Sequence, residues 1–460
     1  MEEDKPIEQN ENTGKQMDML HGRLFGKIIA FALPLAASSI LQQLFNSIDV
    51  AVVGQYASGK AQAAVGCNGS LINLMLNLFV GISIGTNVVI ANFIGQNKKE
   101  HISKTVHTSM LVAVISGLFL LVLGLFIAEP ALALMDTPED IMDQAVLYLR
   151  IYFLGMPFIM VYNFGAAILR SVGDTRRPLY CLLASGLLNA GLNLLLVIVF
   201  HMDVAGVAIA TVVSNVLSAG MVLFFLTHEE SVIRLSFRDM QISGRELSQV
   251  LRIGIPAGLQ SAVFSFANVF IQTALNGHGA DAVAGSAITL NFEFYSYFVV
   301  TAFSQAAVTF ISQNFGAGNY ARCKKIFREI LLATILVITV MSILFVFGRN
   351  FFIGLFTSEP KVAEYASIRM VCLLSAYFLI PTYEISGAAL RGIGHSLTPA
   401  IITIFGTCVL RLVWVYTVCR IYTQFEVLML IYPLSWIVTG SVMLFVYFMT
   451  QKKVLCSRLE

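Results

Sequence analysis

Apolar residues in this chain run in blocks rather than in alternation. Between Lys60 and Lys98 no residue is charged, and the stretches Met110 to Ala128, Pro178 to Phe200 and Val204 to Thr227 are equally free of charge. Each exceeds the roughly 18 apolar residues a helix needs to cross a bilayer. Reading such runs between charged or turn-forming breaks predicts helices over 27–55, 61–96, 102–128, 138–171, 176–200 and 203–227. A second set is predicted over 247–276, 281–315, 322–348, 362–391, 397–420 and 426–450. Gly and Pro inside these runs do not argue against spans, because neighbouring helices can satisfy the freed backbone groups. The expected fold class is an all-α polytopic membrane protein of twelve transmembrane helices in two six-helix lobes.

The lobes repeat. A shift of 221 residues lays Ala167 to Pro178 (AILRSVGDTRRP) on Ala388 to Pro399 (AALRGIGHSLTP) and pairs Gly95 with Gly316 and Lys104 with Lys325. With one residue of adjustment Pro34 falls on Pro256 and Asn46 on Asn268. An even number of spans per unit gives both copies one topology, with a symmetry axis along the membrane normal and a cavity between the halves. The expected divisions are a disordered tail over 1–24, a first lobe over 25–228, a connector over 229–246 lying partly on the membrane surface, a second lobe over 247–450 and a tail over 451–460.

Orientation follows from basic residues in short loops. Twenty-two Lys and Arg fall on the side of both termini, Arg170 and Arg391 among them, and four on the other: Lys60, Arg349, Lys361 and Arg420. Both termini are therefore expected in the cytoplasm, with the chain in the inner membrane. Arg150, Arg369 and Arg411 lie within spans, and long side chains there are expected to snorkel to an interface.

Composition agrees: 57% of the 460 residues are hydrophobic and 12% charged, against roughly 25% charged in soluble domains. The polar, acidic start has no basic region leading into an apolar run, so no cleaved signal is expected. Seven scattered cysteines without a CxxC indicate neither a metal site nor a disulfide framework. A net charge of +2 spread over loops gives no reason to expect a nucleic-acid partner. His201 and His107 sit near opposite helix ends with no nucleophile or metal constellation, so no enzyme and no cofactor are expected.

An ionisable group in hydrocarbon is costly without a partner or a wet cavity, so charges inside spans carry the functional signal. Asp49 is the only charged residue between Lys27 and Lys60, and its repeat partner is the apolar Ile271. Asn189 and Asn193, four apart, share a helix face, and Thr211 follows on the next helix. Rise per residue puts Asn193 and Thr211 about 12 Å, and Asp49 about 9–13 Å, from the same membrane face. Oxygen-bearing groups at one depth suit a small hard cation, or a proton on the carboxylate; the asparagines taken alone are equally read as helix glue. Glu293 and Glu384 are the lone carboxylates of the second lobe's spans, each able to meet a cationic substrate or to pair locally, Glu384 with Arg391. The SVGDTRRP turn reads as architecture, with Gly173 closing one helix and Asp174 or Thr175 capping the next.

Pro34 followed fifteen residues later by Asp49, the GQN and QNFGAGN helix ends, the LRSVGDTRRP and LRGIGHSLTP pair and the Asn189, Asn193, Thr211 set resemble the multidrug and toxic compound extrusion (MATE) family from Phe25 to Thr450. The resemblance implies two lobes that open alternately to either side and export organic, often cationic, compounds against sodium or proton entry. It implies a cation site at Asp49, Asn189, Asn193 and Thr211, a substrate-facing Gln42 and a bend at Pro34; a proline frees a carbonyl and kinks its helix. The chain departs from the family in carrying Asn193 where many members have Asp, and in lacking any charge between Arg252 and Asp281. The expected partners are small cationic or amphiphilic molecules and membrane lipid, with the protein a monomer. The alternative of a lipid-linked saccharide flippase would line its cavity with several arginines.

Overall fold

A computed structural model describes residues 17–56, 59–135 and 137–456. The first lobe consists of α1 (Leu24–Tyr56), α2 (Gly59–Gly95), α3 (Lys99–Leu134), α4 (Glu139–Leu154), α5 (Met156–Ser171), α6 (Arg176–Asn193) and α7 (Asp203–Thr227). The second consists of α8 (Gly244–Asn276), α9 (Ala280–Gly316), α10 (Tyr320–Phe347), the short α11 (Arg349–Gly354), α12 (Pro360–Leu374), α13 (Ile380–Gly392), α14 (Leu397–Thr403), α15 (Leu410–Ile421) and α16 (Phe425–Thr450). Among the described residues eleven helical spans are long and apolar enough to cross a membrane, and α4 with α5 makes the twelfth. Phe126, Leu336 and Phe347 are among many large apolar side chains exposed on the outer surface. Such a surface belongs in hydrocarbon rather than water.

The run 138–171, expected as one helix, bends by 46° at Gly155. Pro157 starts α5 there, and its missing N–H breaks the backbone ladder. The second lobe repeats the device: the expected 362–391 helix is interrupted by a tight turn at Tyr377–Leu379 before Pro381 opens α13. Span five and its repeat partner each contain a wider π-type turn, at Leu194–Val199 and Ile404–Val409.

The lobes meet backbone to backbone. A Cβ on Gly81 would fall 2.1 Å from the Cα of Gly258, and one on Gly85 2.2 Å from the Val250 carbonyl. The paired Gly95 and Gly316 each press against the other's helix, Gly95 on Gln313 and Gly316 on Asn92, which are themselves repeat partners. Small residues allow this approach where lipid supplies no hydrophobic drive between helices. The hydrogen bonds joining the lobes begin at mid-depth with Asn77 to Ser265 Oγ (3.2 Å). They continue to the side that carries both described chain ends, with Thr309 to Asn87 Oδ1 (3.1 Å), Ser312 to the Val88 carbonyl (2.7 Å) and Gln313 to the Ser171 carbonyl (2.6 Å).

Part of the expected disordered tail is docked. Residues 1–16 lie outside the described residues, but Met19 is buried, and its carbonyl accepts from Asn314 (3.1 Å) and Arg322 (3.3 Å). Apolar Met17 and Met19 pack on Gly173, whose φ of +87° suits a residue without a side chain. That contact outweighs the polar composition of the segment. The tail expected over 451–460 likewise begins as a continuation of α16, a π-type turn over Gln451–Cys456.

Candidate functional site

Helices α1, α6 and α7 converge on Asp49. The Asn193 amide donates to Asp49 Oδ1 and also to Asn189 Oδ1 (3.2 Å). Asn189 in turn donates to Thr211 Oγ1 (3.4 Å), whose hydroxyl donates to the Val207 carbonyl of its own helix (3.0 Å). The structure thus brings the four residues into one chain of hydrogen bonds that ends on the carboxylate. Asn193 closes the regular part of α6, just before the wider turn at Leu194–Val199; such turns recur at functional sites. Its Oδ1 is buried without a partner, an acceptor left over beside a carboxylate. Tyr148 and Tyr152 of α4 stand near enough to feel the Asp49 charge. Asp49 forms no ion pair among the described residues, and a set of one carboxylate, two amides and a hydroxyl has the chemistry to accept a proton or one small hard cation. Among the described residues no cluster of three His, Cys, Asp or Glu exists that would hold a resident metal.

About 10 Å further along α1, Gln42 lines a cavity of about 160 Å³ between the lobes. Ser38, Asn163 of α5 and Asn215 of α7 line it from the first lobe, and Gln305 of α9 from the second. Asn215 lies one turn from Thr211, so the Asp49 cluster and the cavity share α1 and α7. The cavity contains one charge, Arg170. Sequence reasoning set Arg170 among loop anchors; it lies on that side of the bundle but points inward from the last turn of α5. The available signal was its place seven residues after Asn163 on one helix. A larger open groove of about 830 Å³ runs between the start of α8 and the α13–α14 turn, away from Asp49.

Pro34 lies inside α1, which continues through it; Ser38 Oγ donates to its carbonyl (2.8 Å). In the second lobe Glu293 is held in a buried ion pair with Arg369. Arg369 Nε and Nη2 donate to its two oxygens at 2.8 and 3.2 Å, and the Tyr377 hydroxyl donates to its backbone carbonyl (2.9 Å). Glu384 makes no hydrogen bond or ion pair among the described residues, so the pair expected with Arg391 is not closed; Arg391 donates to Gln260 Oε1 instead (3.2 Å). Arg369 and Arg411 do not snorkel. Both are buried, Arg411 on Ser435 Oγ (3.2 Å) and over the Tyr432 ring (4.6 Å), since partners in the bundle outweigh the reach to an interface. Arg150 does face outward, bridged to Glu129 at 3.4 Å. In the SVGDTRRP turn Asp174 Oδ1 accepts from the backbone N–H of Arg176 and Arg177 (both 3.1 Å), which makes it the cap of α6.

Twelve spans in two repeated lobes around a cavity, with a carboxylate held by an amide beside it, define a two-lobed membrane transporter. The MatE family model matches the chain twice, over residues 34–195 and 256–417, each match opening on one of the paired prolines. The chain belongs to that family, the multidrug and toxic compound extrusion transporters. It is 28% identical over 397 residues to "Probable multidrug resistance protein NorM" of Thermotoga maritima, covering 84% of each chain. It is 25% identical over 405 residues to "Probable multidrug resistance protein YoeA" of Bacillus subtilis, covering 86% of this chain and 87% of that one. Its fold matches a MOP superfamily transporter from Pyrococcus furiosus with a TM-score of 0.90 at 21% identity, over 98% of this chain and 100% of the other.

Proposed function

We propose that this protein exports small organic amphiphiles across the cytoplasmic membrane by alternating access, driven by entry of a proton or a sodium ion at Asp49. Its named relatives are multidrug resistance proteins. The observation that carries the reading is the carboxylate held by Asn193 at the end of a hydrogen-bonded chain through Asn189 to Thr211, which lies one helical turn from the inter-lobe cavity. Charged, Asp49 needs the amide donor of Asn193. Neutralised by a proton, it becomes a donor itself, and a rotated Asn193 amide meets it with Oδ1; a sodium ion binds the same two oxygens. Either cargo changes what α1 must touch. Val52 and Val53 are buried one turn away, and Pro34 supplies the weak point at which α1 bends. Cation and substrate thereby bias one two-state element and each alters the other's binding. Both termini are cytoplasmic in this reading.

The test is uptake of a labelled amphiphile into inverted vesicles under an imposed proton or sodium gradient, with wild type and Asp49→Asn. Transport that follows one gradient and disappears in a well-inserted Asp49→Asn protein supports the reading. Transport unaffected by either gradient, or by the substitution, sinks it.

A further inference from the structure

Arg170 is a charge facing the cavity that has no part in the Asp49 cluster. Among the described residues it forms no ion pair and no side-chain hydrogen bond, and its Nε is buried without a partner. The cavity it faces contains no Asp or Glu. Its position in the last turn of α5 lets the helix dipole offset part of the cost of a buried cation, but such a dipole is weak beside the desolvation of a whole charge.

The repeat shows what is missing. Arg391 occupies the equivalent place in the second lobe, with Glu384 seven residues before it on α13 and near enough to interact electrostatically. Gln260 Oε1 accepts from it at 3.2 Å. The residues matching Glu384 and Gln260 in the first lobe are Asn163 and Ser38, one neutral and one small. Their donors are turned back on their own helices, Asn163 to the Ile159 carbonyl (2.8 Å) and Ser38 to that of Pro34 (2.8 Å). Counter-charge and amide have thus been replaced by space, and the cavity stands in it. The side chains of Gln42, Asn215 and Gln305 border the same space and hold no hydrogen bond among the described residues. A guanidinium and free amides around a pocket without carboxylates are the donors that recognise an oxyanion. The volume, about 160 Å³, is below the roughly 300 Å³ at which drug-sized sites begin, and fits a headgroup rather than a whole amphiphile.

We propose that the Arg170 cavity binds the oxyanion end, carboxylate or phosphate, of an amphiphile that the protein carries. The proposal rests on the export reading for the word "carries", while the site itself is tested without transport. Full-length protein in neutral phosphatidylcholine nanodiscs is titrated with decyl phosphate, decyltrimethylammonium, decyl maltoside and inorganic phosphate. Decyl phosphate is expected to bind about tenfold or more tighter than the other three. Arg170→Gln should remove that preference and Arg170→Lys should keep part of it. Asn163→Glu, which writes the second lobe's counter-charge into the first, should remove it while Arg170 stays in place, and covers the case in which Arg170→Gln does not fold. Equal affinities for the phosphate and maltoside probes, a preference for decyltrimethylammonium, or an unchanged preference in Asn163→Glu would overturn the site. Inorganic phosphate binding as tightly as decyl phosphate would overturn its assignment to an amphiphile. A failed export reading would appear separately, as decyl phosphate binding intact with no gradient-driven uptake.

Discussion

In the second lobe Glu293 and Arg369 close on each other with two hydrogen bonds, and Tyr377 and the Tyr432 ring complete their surroundings. In the first, Asp49 accepts one hydrogen bond, from the Asn193 amide, and Arg170 forms no ion pair among the described residues, its Nε buried without a partner. The second lobe thus closes Glu293 and Arg369 into a satisfied pair, although its Glu384 has no ion pair among the described residues, and the first keeps Asp49 and Arg170 apart. A buried pair that is complete has little to exchange; a buried charge without its complement is a standing demand for a ligand. Each lobe has carboxylates within its spans, and what distinguishes Glu293 from Asp49 and Glu384 is a guanidinium partner.

The largest test of this contrast is Asp49→Asn, expected to abolish gradient-driven uptake while thermal stability in detergent stays near wild type, since shape is kept and no paired charge is orphaned. A protein that lost stability as much as transport would move Asp49 into the scaffold. Glu293→Gln should behave in the opposite way, losing about 3–5 kcal/mol of stability because Arg369 is left buried and uncompensated. Glu293→Gln combined with Arg369→Met should recover most of that loss in denaturation, with uptake largely retained. Asn193→Asp adds a second carboxylate beside Asp49 and should make uptake more sodium-dependent; an ion dependence identical to wild type in matched vesicles would place Asn193 outside the cation's reach. The smallest effect is expected at the exposed Arg150–Glu129 bridge, where Glu129→Gln should change stability by less than about 0.5 kcal/mol. A loss comparable to that of Glu293→Gln would erase the distinction between buried and exposed pairs.

The twelve spans and their repeat were legible because lipid imposes long uncharged runs, and the grouping of Asp49 with Asn189, Asn193 and Thr211 was legible because a lone charge in such a run needs polar neighbours. What the sequence hid was pairing. Glu293 and Arg369 are 76 residues apart, and nothing local distinguishes a carboxylate awaiting a substrate from one already held by a distant guanidinium. Arg170 was hidden for a related reason: its position in a loop motif made it look like an interfacial anchor, and only packing shows which way a side chain at a helix end turns. The breaks at Gly155 and before Pro381 were missed because apolar runs continue through them, although Pro157 and Pro381 were in plain view.

The glycine contacts between α2 and α8 have a mechanical meaning. Interlocked side chains behave like a zip, each knob having to leave its hole before neighbours can part. Where Gly81 lies on Gly258 and Gly85 on Val250, two bare backbones touch like the faces of a journal bearing. No rotamer has to change before the faces slide or separate. Resistance then comes from the polar catches, Asn77 on Ser265 at mid-depth and Thr309 on Asn87 and Ser312 on Val88 toward one end, so the lobes should part by releasing a few hydrogen bonds rather than by unpicking the whole seam.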